Sequence, residues 1–253
     1  MKVKEIDSII LRGPSMLLYS PIGIGKTGFV SQAGDRGFCF DCDDGLRTAK
    51  HLVDKFSDAR MELEFETFFD TGRGTVFYPK AKKLLIDMHN QIAKKVIEQK
   101  EIYILDSMTG LVKLVKNLVK SASKHPDRNP SQEEWGIIIN EVENFMALFR
   151  ALPGVKIVTG HDNPIEDADG IVRYKFACPG KKLPTDILGL FDDVFYGQVV
   201  NRAGGVKERV LTSQSTAAIE VRTRSDFKGS WPFDSGLIEL LTKLKYPIKE
   251  VLS

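Results

Sequence analysis

The sequence predicts an α/β fold in which a mainly parallel central sheet is flanked by helices and followed by antiparallel strands near the C-terminus. Three observations predict it. Short apolar runs alternate with amphipathic, helix-length segments, the order that a parallel sheet covered by helices imposes on a chain. The turn Ser20-Pro21-Ile22-Gly23-Ile24-Gly25-Lys26-Thr27 falls between the first apolar run and the first helix start. A third apolar run, Ile102 to Leu105, delivers the carboxylate Asp106 at its end.

Composition sets the frame. The chain has 253 residues, 42% apolar and 28% charged, a balance that excludes disordered and fibrous classes. A chain this long buries roughly three quarters of its unfolded surface, so a single domain over residues 1–253 is expected. Lys and Arg total 36 against 34 Asp and Glu, a net charge of +2. That excludes a strong global attraction to nucleic acid or membranes, and any polyanion contact must be local. Cys39, Cys42 and Cys178 cannot form a disulfide framework, and no basic-apolar-small leader opens the sequence. A reducing, cytoplasmic setting is expected. The apolar runs are strand-sized, far short of the roughly 20 residues that span a bilayer.

In chain order, strands are expected at Met16 to Tyr19, Phe38 to Phe40, Tyr103 to Leu105, Val155 to Thr159 and Asp193 to Tyr196. Between Lys80 and Gln99, residues Leu84, Leu85, Met88, Ile92, Val96 and Ile97 recur at helical spacing on one face. A second helix starts at Ser131, which forms a capping box with Glu134 and stops at Pro153-Gly154. Arg209 to Thr212 and Ala217 to Thr223 read as an antiparallel pair joined through Ser213 to Thr216, and Leu237 to Leu244 as a closing helix.

The glycine-rich turn carries the clearest chemistry. Glycines let a main chain approach phosphate oxygens, the lysine reaches the outer phosphates, and the threonine hydroxyl can ligate Mg²⁺. Ser20 through Gly28 are therefore candidate ATP ligands. Ser20 occupies the place where such turns usually begin with glycine, and it would be strained if that place required a positive φ. Asp106 is the second metal candidate, since ligands of open parallel sheets bind beyond the strand ends. Many P-loop ATPases follow this aspartate with a water-orienting glutamate; here Ser107 stands there. The carboxylate must come from elsewhere, and Asp41-Cys42-Asp43-Asp44-Gly45 after the second strand offers Asp43, then Asp44. The plainer alternative is that these acids are solvated or cap the next helix.

On these residues the chain resembles the RecA-like core ATPases, most closely the compact phage-type proteins linked to single-strand annealing and recombination. The resemblance runs from about Met16 to Arg224. It implies that Asp43 matches a catalytic glutamate one methylene longer. It implies that His161, in Val158-Thr159-Gly160-His161, lies where RecA has a polar sensor of the γ-phosphate. It also implies that Arg222 and Arg224 form the paired basic motif that reaches a neighbouring subunit's nucleotide, so that the competent unit is a homo-oligomer, ring or filament. A solvated basic strand edge is the plainer reading of that pair.

Two segments are locally basic and read as loops on the ligand rim. Lys113, Lys116, Lys120, Lys124 and Arg128 precede the capping box; Arg173, Lys175, Lys181 and Lys182 follow His161, interleaved with Tyr174 and Phe176. Rings beside cations suit single-stranded DNA, because bases stack while phosphates pair, and the matching loops of RecA-like proteins line the DNA channel. Cys39 and Cys42 have C-x-x-C spacing with no second pair, and the histidines show no zinc spacing.

The expected function is a Mg²⁺-dependent ATPase of the RecA-like kind acting on single-stranded DNA, with a single-strand-binding protein or helicase as a further partner and no membrane. The rivals are a P-loop nucleotide kinase and a nucleotide-gated adaptor or loader that barely turns ATP over. An AAA+ machine ranks lower, because Ser107 replaces the expected glutamate and few residues remain for a helical lid.

Overall fold

The computed structural model describes residues 13–46, 62–69, 75–178 and 187–248. Six strands run parallel: β1 (Ser15–Ser20), β2 (Gly37–Asp41), β3 (Glu64–Thr67), β4 (Ile102–Asp106), β5 (Val155–Glu166) and β7 (Asp193–Asn201). Antiparallel partners are β6 (Val172–Phe176) on β5, β8 (Lys207–Thr212) on β7, β9 (Arg222–Thr223) on β7 and β10 (Ser230–Pro232) on β8. The order across the sheet is β10-β8-β7-β1-β5-β4-β2-β3. β1 is central, and the chain leaves it toward β2 on one side while β7 lies on the other. Such a reversal opens a crevice at the C-terminal strand ends.

Successive side chains of a strand point to opposite faces, and both faces here are covered. Leu17, Tyr19, Phe40, Tyr103 and Leu105 meet Leu85 of α2 (Phe77–Ala93), Leu111 of α3 (Met108–Ala122) and Val142, Phe145 and Phe149 of α4 (Gln132–Arg150). Met16, Leu18, Ile104 and Ile157 meet Phe29 and Val30 of α1 (Lys26–Val30) and Leu237, Leu240 and Leu241 of α5 (Leu237–Lys243). Double coverage is why β1 and β4 read as unbroken apolar runs, and each fully buried Leu or Phe stabilises the fold by about 1.5–3 kcal/mol.

α4 begins with the expected capping box: Glu134 N–H donates to Ser131 Oγ at 3.2 Å, and Ser131 N–H to Glu134 Oε2 at 2.6 Å. Other elements depart from expectation. α2 starts at Phe77 and ends at Ala93 rather than running from Lys80 to Gln99, and Val96 and Ile97 lie exposed beyond it. Lys95 takes a left-handed φ of 55° there, as the chain turns back toward β4. β8 does not pair with Ala217 to Thr223; both its edges are taken, by β7 and β10. Of that second segment, Arg222–Thr223 alone is strand, and Ser215 Oγ closes a turn across it by donating to Val221 O at 2.7 Å. The basic run 113–120 is helix, not loop.

The rim gains two projections. β5 continues past the sheet as a hairpin with β6, from Asp162↔Phe176 to Glu166↔Val172. α4 runs in the same direction as α2, because Tyr78 OH donates to Glu141 O at 3.0 Å and His89 Nε2 lies 2.9 Å from Leu148 O. The residues of α4 before Glu141 therefore overhang the start of α2 by about 14 Å at 1.5 Å per residue, carrying the 123–131 turn with them.

Among the described residues, no helix is long and apolar enough to cross a membrane.

Candidate functional site

β1 ends at Ser20 in extended backbone, and the turn that follows places Gly23 at φ 83° and Gly25 at φ 103°. Both angles lie where only glycine is unstrained, and left-handed glycines in such a turn produce an anion-binding concavity of main chain. Ser20 itself is spared a positive φ, so the strain foreseen for it does not arise. It instead supplies a ligand: Lys26 Nζ donates to Ser20 Oγ at 2.8 Å, Ser20 O at 3.1 Å and Pro21 O at 3.0 Å. Ile22 projects into solvent, whereas Ile24 is buried and anchors the turn.

Lys26 is buried, and that burial lowers its amine from 10.5 to about 8, against the opposing pull of Asp106, Asp162 and Asp43. Thr27 and Gly28 follow in α1.

Asp106 is buried at the end of β4. Desolvation raises its carboxyl above the ordinary range, opposed by the Thr159 and Thr27 hydroxyls. Thr159 Oγ1 donates to Oδ1. Oδ2 is buried with no hydrogen-bond partner, a costly arrangement for a carboxylate oxygen. A side chain on Gly45 would meet Thr27 Oγ1 at 3.1 Å and Asp106 Oδ2 at 3.6 Å, so both groups converge under that glycine. The hydroxyl and the orphaned oxygen fit the needs of a hard divalent cation, which takes oxygen ligands and keeps several waters.

The turn after β2 is held from within. Asp41 accepts from the amides of Asp43 (3.3 Å), Gly45 (3.1 Å) and Leu46 (3.2 Å), and from Thr67 Oγ1 (3.3 Å). Burial raises Asp41 to about 6, with nearby Asp106 adding to the rise and the three amide bonds opposing it. Asp44 adopts a left-handed φ of 57°. Asp43 faces the site: Ser107 Oγ donates to its Oδ2, and His161 Nε2 lies 3.9 Å from the same oxygen. His161 Nδ1 is 3.4 Å from Lys26 Nζ, and the His161 amide donates to Thr109 Oγ1 at 3.1 Å. Desolvation first, then Lys26, lowers the imidazole, with Asp43, Asp106 and Asp162 opposing. The Asp106-Ser107 peptide is cis.

Thus the structure gathers Ser20, Lys26, Thr27, Asp43, Asp106 and His161 at one end of the sheet. It sets Arg222 and Arg224 elsewhere in their own chain. Arg222 pairs with Val194 at the start of β7, whereas the phosphate turn follows the other end of the adjacent β1. Arg224 Nη1 binds Asp192 at 2.9 Å, and Arg222 Nη1 lies 3.5 Å from Gly189 O.

The basic candidates are dispersed. Lys120 is half-buried on α3, beyond Lys116, whose ammonium lies 5.6 Å from the Trp135 ring. Lys124 and Arg128 are exposed in the turn before α4, and Arg128 lies 3.5 Å from Glu134. Arg173 is paired with Asp167 at 2.8 Å; Lys175 is exposed beside it on β6. Lys181 and Lys182 lie outside the described residues. Cys39 and Cys42 are buried free thiols pushed well above their ordinary value by burial.

Sequence reasoning missed Arg209, whose guanidinium reaches Ile24 O at 3.4 Å and Asp234 at 3.1 Å, bracing the back of the turn. No motif marks it. It also missed Thr159 as the partner of Asp106, although its place two residues before His161 on one strand put it on the same face.

Residues 12–225 match the family model described as AAA domain. No curated protein matches the chain. Among solved structures, an ATPase from the type III secretion system of pathogenic bacteria is similar at 10% identity and a TM-score of 0.45, over 74% of this chain and 52% of its own. The chain thus spans about half the length of that ATPase. The family match corrects the low rank that Ser107 and the short C-terminal part give to an AAA assignment: those are two local features, and the match extends over 12–225. The chain belongs to the AAA domain family, and it is a P-loop ATPase domain built on a mostly parallel sheet.

Proposed function

We propose that the chain binds ATP in the Ser20–Gly28 turn, hydrolyses it, and couples turnover to single-stranded DNA as part of a homo-oligomer, in the manner of the RecA-like recombination and annealing proteins its motifs resemble. The observation that carries the nucleotide-binding part of this reading is the buried, unpartnered Asp106 Oδ2 beside Thr27, under a turn whose lysine donates to Ser20 and Pro21 oxygens and lies 3.4 Å from the His161 ring. A triphosphate offers Lys26 anionic acceptors, which add direct attraction between opposite charges to the hydrogen bond. Thr27, with Asp106 acting through water, would hold Mg²⁺, which supplies neutralisation of phosphate charge.

Asp43 is the carboxylate that orients the attacking water, as phosphoryl transfer asks mainly for positioning and charge stabilisation. Asp44 is the second choice for that role. His161 reads the γ-phosphate through Lys26. Its strand continues into the β5–β6 hairpin, which links the site to the hairpin through one continuous backbone element. The base and ribose fit a cavity of about 470 Å³ beside the turn, lined by Tyr174, Tyr196, Gln198 and Arg209. Arg222 and Arg224 act on a neighbouring copy's nucleotide, which their distance from their own site permits.

DNA contact falls to Lys120 near the end of α3, to Lys124 and Arg128 in the turn carried by the overhang, to Arg173 and Lys175 on the hairpin, and to Lys181 and Lys182 further along the sequence. Residues two apart on β6 share a face, which aligns Arg173 with Lys175. Four neutralised phosphates give a salt slope of only about −3, so a single copy binds weakly and assembly supplies the affinity.

The test is ATP consumption measured alone, with single-stranded DNA and with nucleoside monophosphates. DNA stimulation that is lost in Lys175→Glu supports the reading. Phosphate transfer to a monophosphate supports a kinase instead, and turnover unmoved by either argues for an adaptor.

A further inference from the structure

Ser107 stands where a water-orienting glutamate would follow the strand aspartate, and its surroundings give it a different task. It is buried and is the N-cap of α3, where its Oγ accepts the Gly110 amide at 3.1 Å. An amide only donates, so this bond uses a lone pair of Oγ and leaves the hydroxyl hydrogen free to point elsewhere. It points to Asp43 Oδ2. The other Asp43 oxygen, Oδ1, lies over Gly110, where an added Cβ would come within 2.5 Å of it and within 2.5 Å of Cys42 O. Both carboxylate oxygens are therefore located by the first turn of α3. The main chain adds to this, since Cys42 N–H donates to Asp106 O at 2.6 Å.

The geometry points to Ser107 as a positioning residue that fixes the Asp43 carboxylate, with Gly110 kept side-chain-free so that the Cys42-Asp43 turn can dock on α3. This rests on the reading of Asp43 as the water-orienting carboxylate. The site divides between two residues what a single glutamate after Asp106 does elsewhere. Asp43 brings the charge, and Ser107 brings the aim. The docking of the turn against Gly110 also draws a carboxylate one methylene shorter than glutamate toward the site.

The experiment is steady-state MgATP hydrolysis by the full chain, with ATP binding followed by equilibrium titration, for Ser107→Ala, Ser107→Gly, Ser107→Thr and Asp43→Asn. Misplacement of a reacting group by about 1 Å costs up to about 100-fold. Ser107→Ala is therefore expected to lower kcat by about 10- to 100-fold while KM and ATP affinity stay within about twofold. Ser107→Gly, which is tolerated at a helix start, is expected to lose kcat equally, and Ser107→Thr, which restores the hydroxyl, to recover most of it. Wild-type kcat in Ser107→Gly, with Asp43→Asn inactive, overturns the positioning role and leaves Asp43 in place. A loss in Ser107→Ala seen in KM and affinity rather than kcat also overturns it. Wild-type turnover in Asp43→Asn overturns the reading of Asp43, and the positioning role falls with it.

Discussion

Lys26 Nζ lies 3.4 Å from His161 Nδ1, a contact between the phosphate turn after β1 and the strand that leaves the sheet as the β5–β6 hairpin. On its other side His161 Nε2 lies 3.9 Å from Asp43. One imidazole thus touches the lysine of the glycine-rich turn and approaches the carboxylate proposed to orient the attacking water. His161 immediately precedes Asp162, the first β5 residue paired with β6, so this contact lies at the root of the hairpin.

Burial lowers Lys26 to about 8 in the free protein. A bound triphosphate favours the charged amine, so ATP binding raises that value, and by linkage affinity must fall as pH rises through the free-protein value. The Kd for ATP is expected to weaken above about pH 8, approaching tenfold per pH unit for one proton. Binding at about pH 8.5 should take up a proton, measurable by calorimetry in two buffers of different ionisation enthalpy. A Kd that stays flat to about pH 9.5 would contradict the burial of this amine. The stability effect has the opposite sense. Between about 8 and 10.5 the unfolded chain binds more protons at Lys26 than the native one, so this group adds stability as pH rises.

Asp106→Asn separates the metal role from the structural one. Asn Oδ1 can still accept from Thr159, and the substitution removes a buried charge with an unpartnered oxygen. The melting temperature without nucleotide should hold or rise. With ATP and Mg²⁺ at about 100 times Kd, ligand linkage gives about 2.7 kcal/mol, or about 5–10 °C for a chain this size. The wild type should show that shift and Asp106→Asn should lose it. An equal shift in both would remove Asp106 from the metal site.

The central sheet was legible because burial on both faces writes β1, β4 and the first part of β5 as continuous apolar runs. The phosphate turn was legible because its glycines and Gly-Lys-Thr ending answer a local backbone requirement. What escaped was set by partners far away in sequence. β8 shows strand character, but nothing in Arg209 to Thr212 says that β7 and β10 will hold its edges. Lysines interleave the apolar face of α3, so Leu111, Leu114 and Val115 were outweighed by charge. The hairpin beyond His161 has exposed residues on both strands, which leaves no apolar period to read. Asp43 could be singled out from its place after β2, whereas the Ser107 bond that aims it needs the fold.

Gly160 is the point where the hairpin is pinned to the sheet. A Cβ there would lie 2.2 Å from Phe176 Cε2 and 3.0 Å from Cζ, and Phe176 is buried against Tyr19 with ring centroids 6.0 Å apart. Gly160→Ala must move a packed ring, an overpacking cost of about 1–3 kcal/mol. Chemical denaturation should report that loss, and a variant as stable as wild type would show that Phe176 yields freely.

The account turns on a triphosphate gripped by Lys26, and equilibrium titration of ATP with Mg²⁺ into wild type and Lys26→Ala tests it most directly. Loss of a charge-assisted bond to phosphate, about 1.5–3 kcal/mol, predicts that affinity falls by at least about tenfold while the variant stays folded by circular dichroism. Affinity retained in Lys26→Ala would mean that the turn between Ser20 and Gly28 is not where the nucleotide sits.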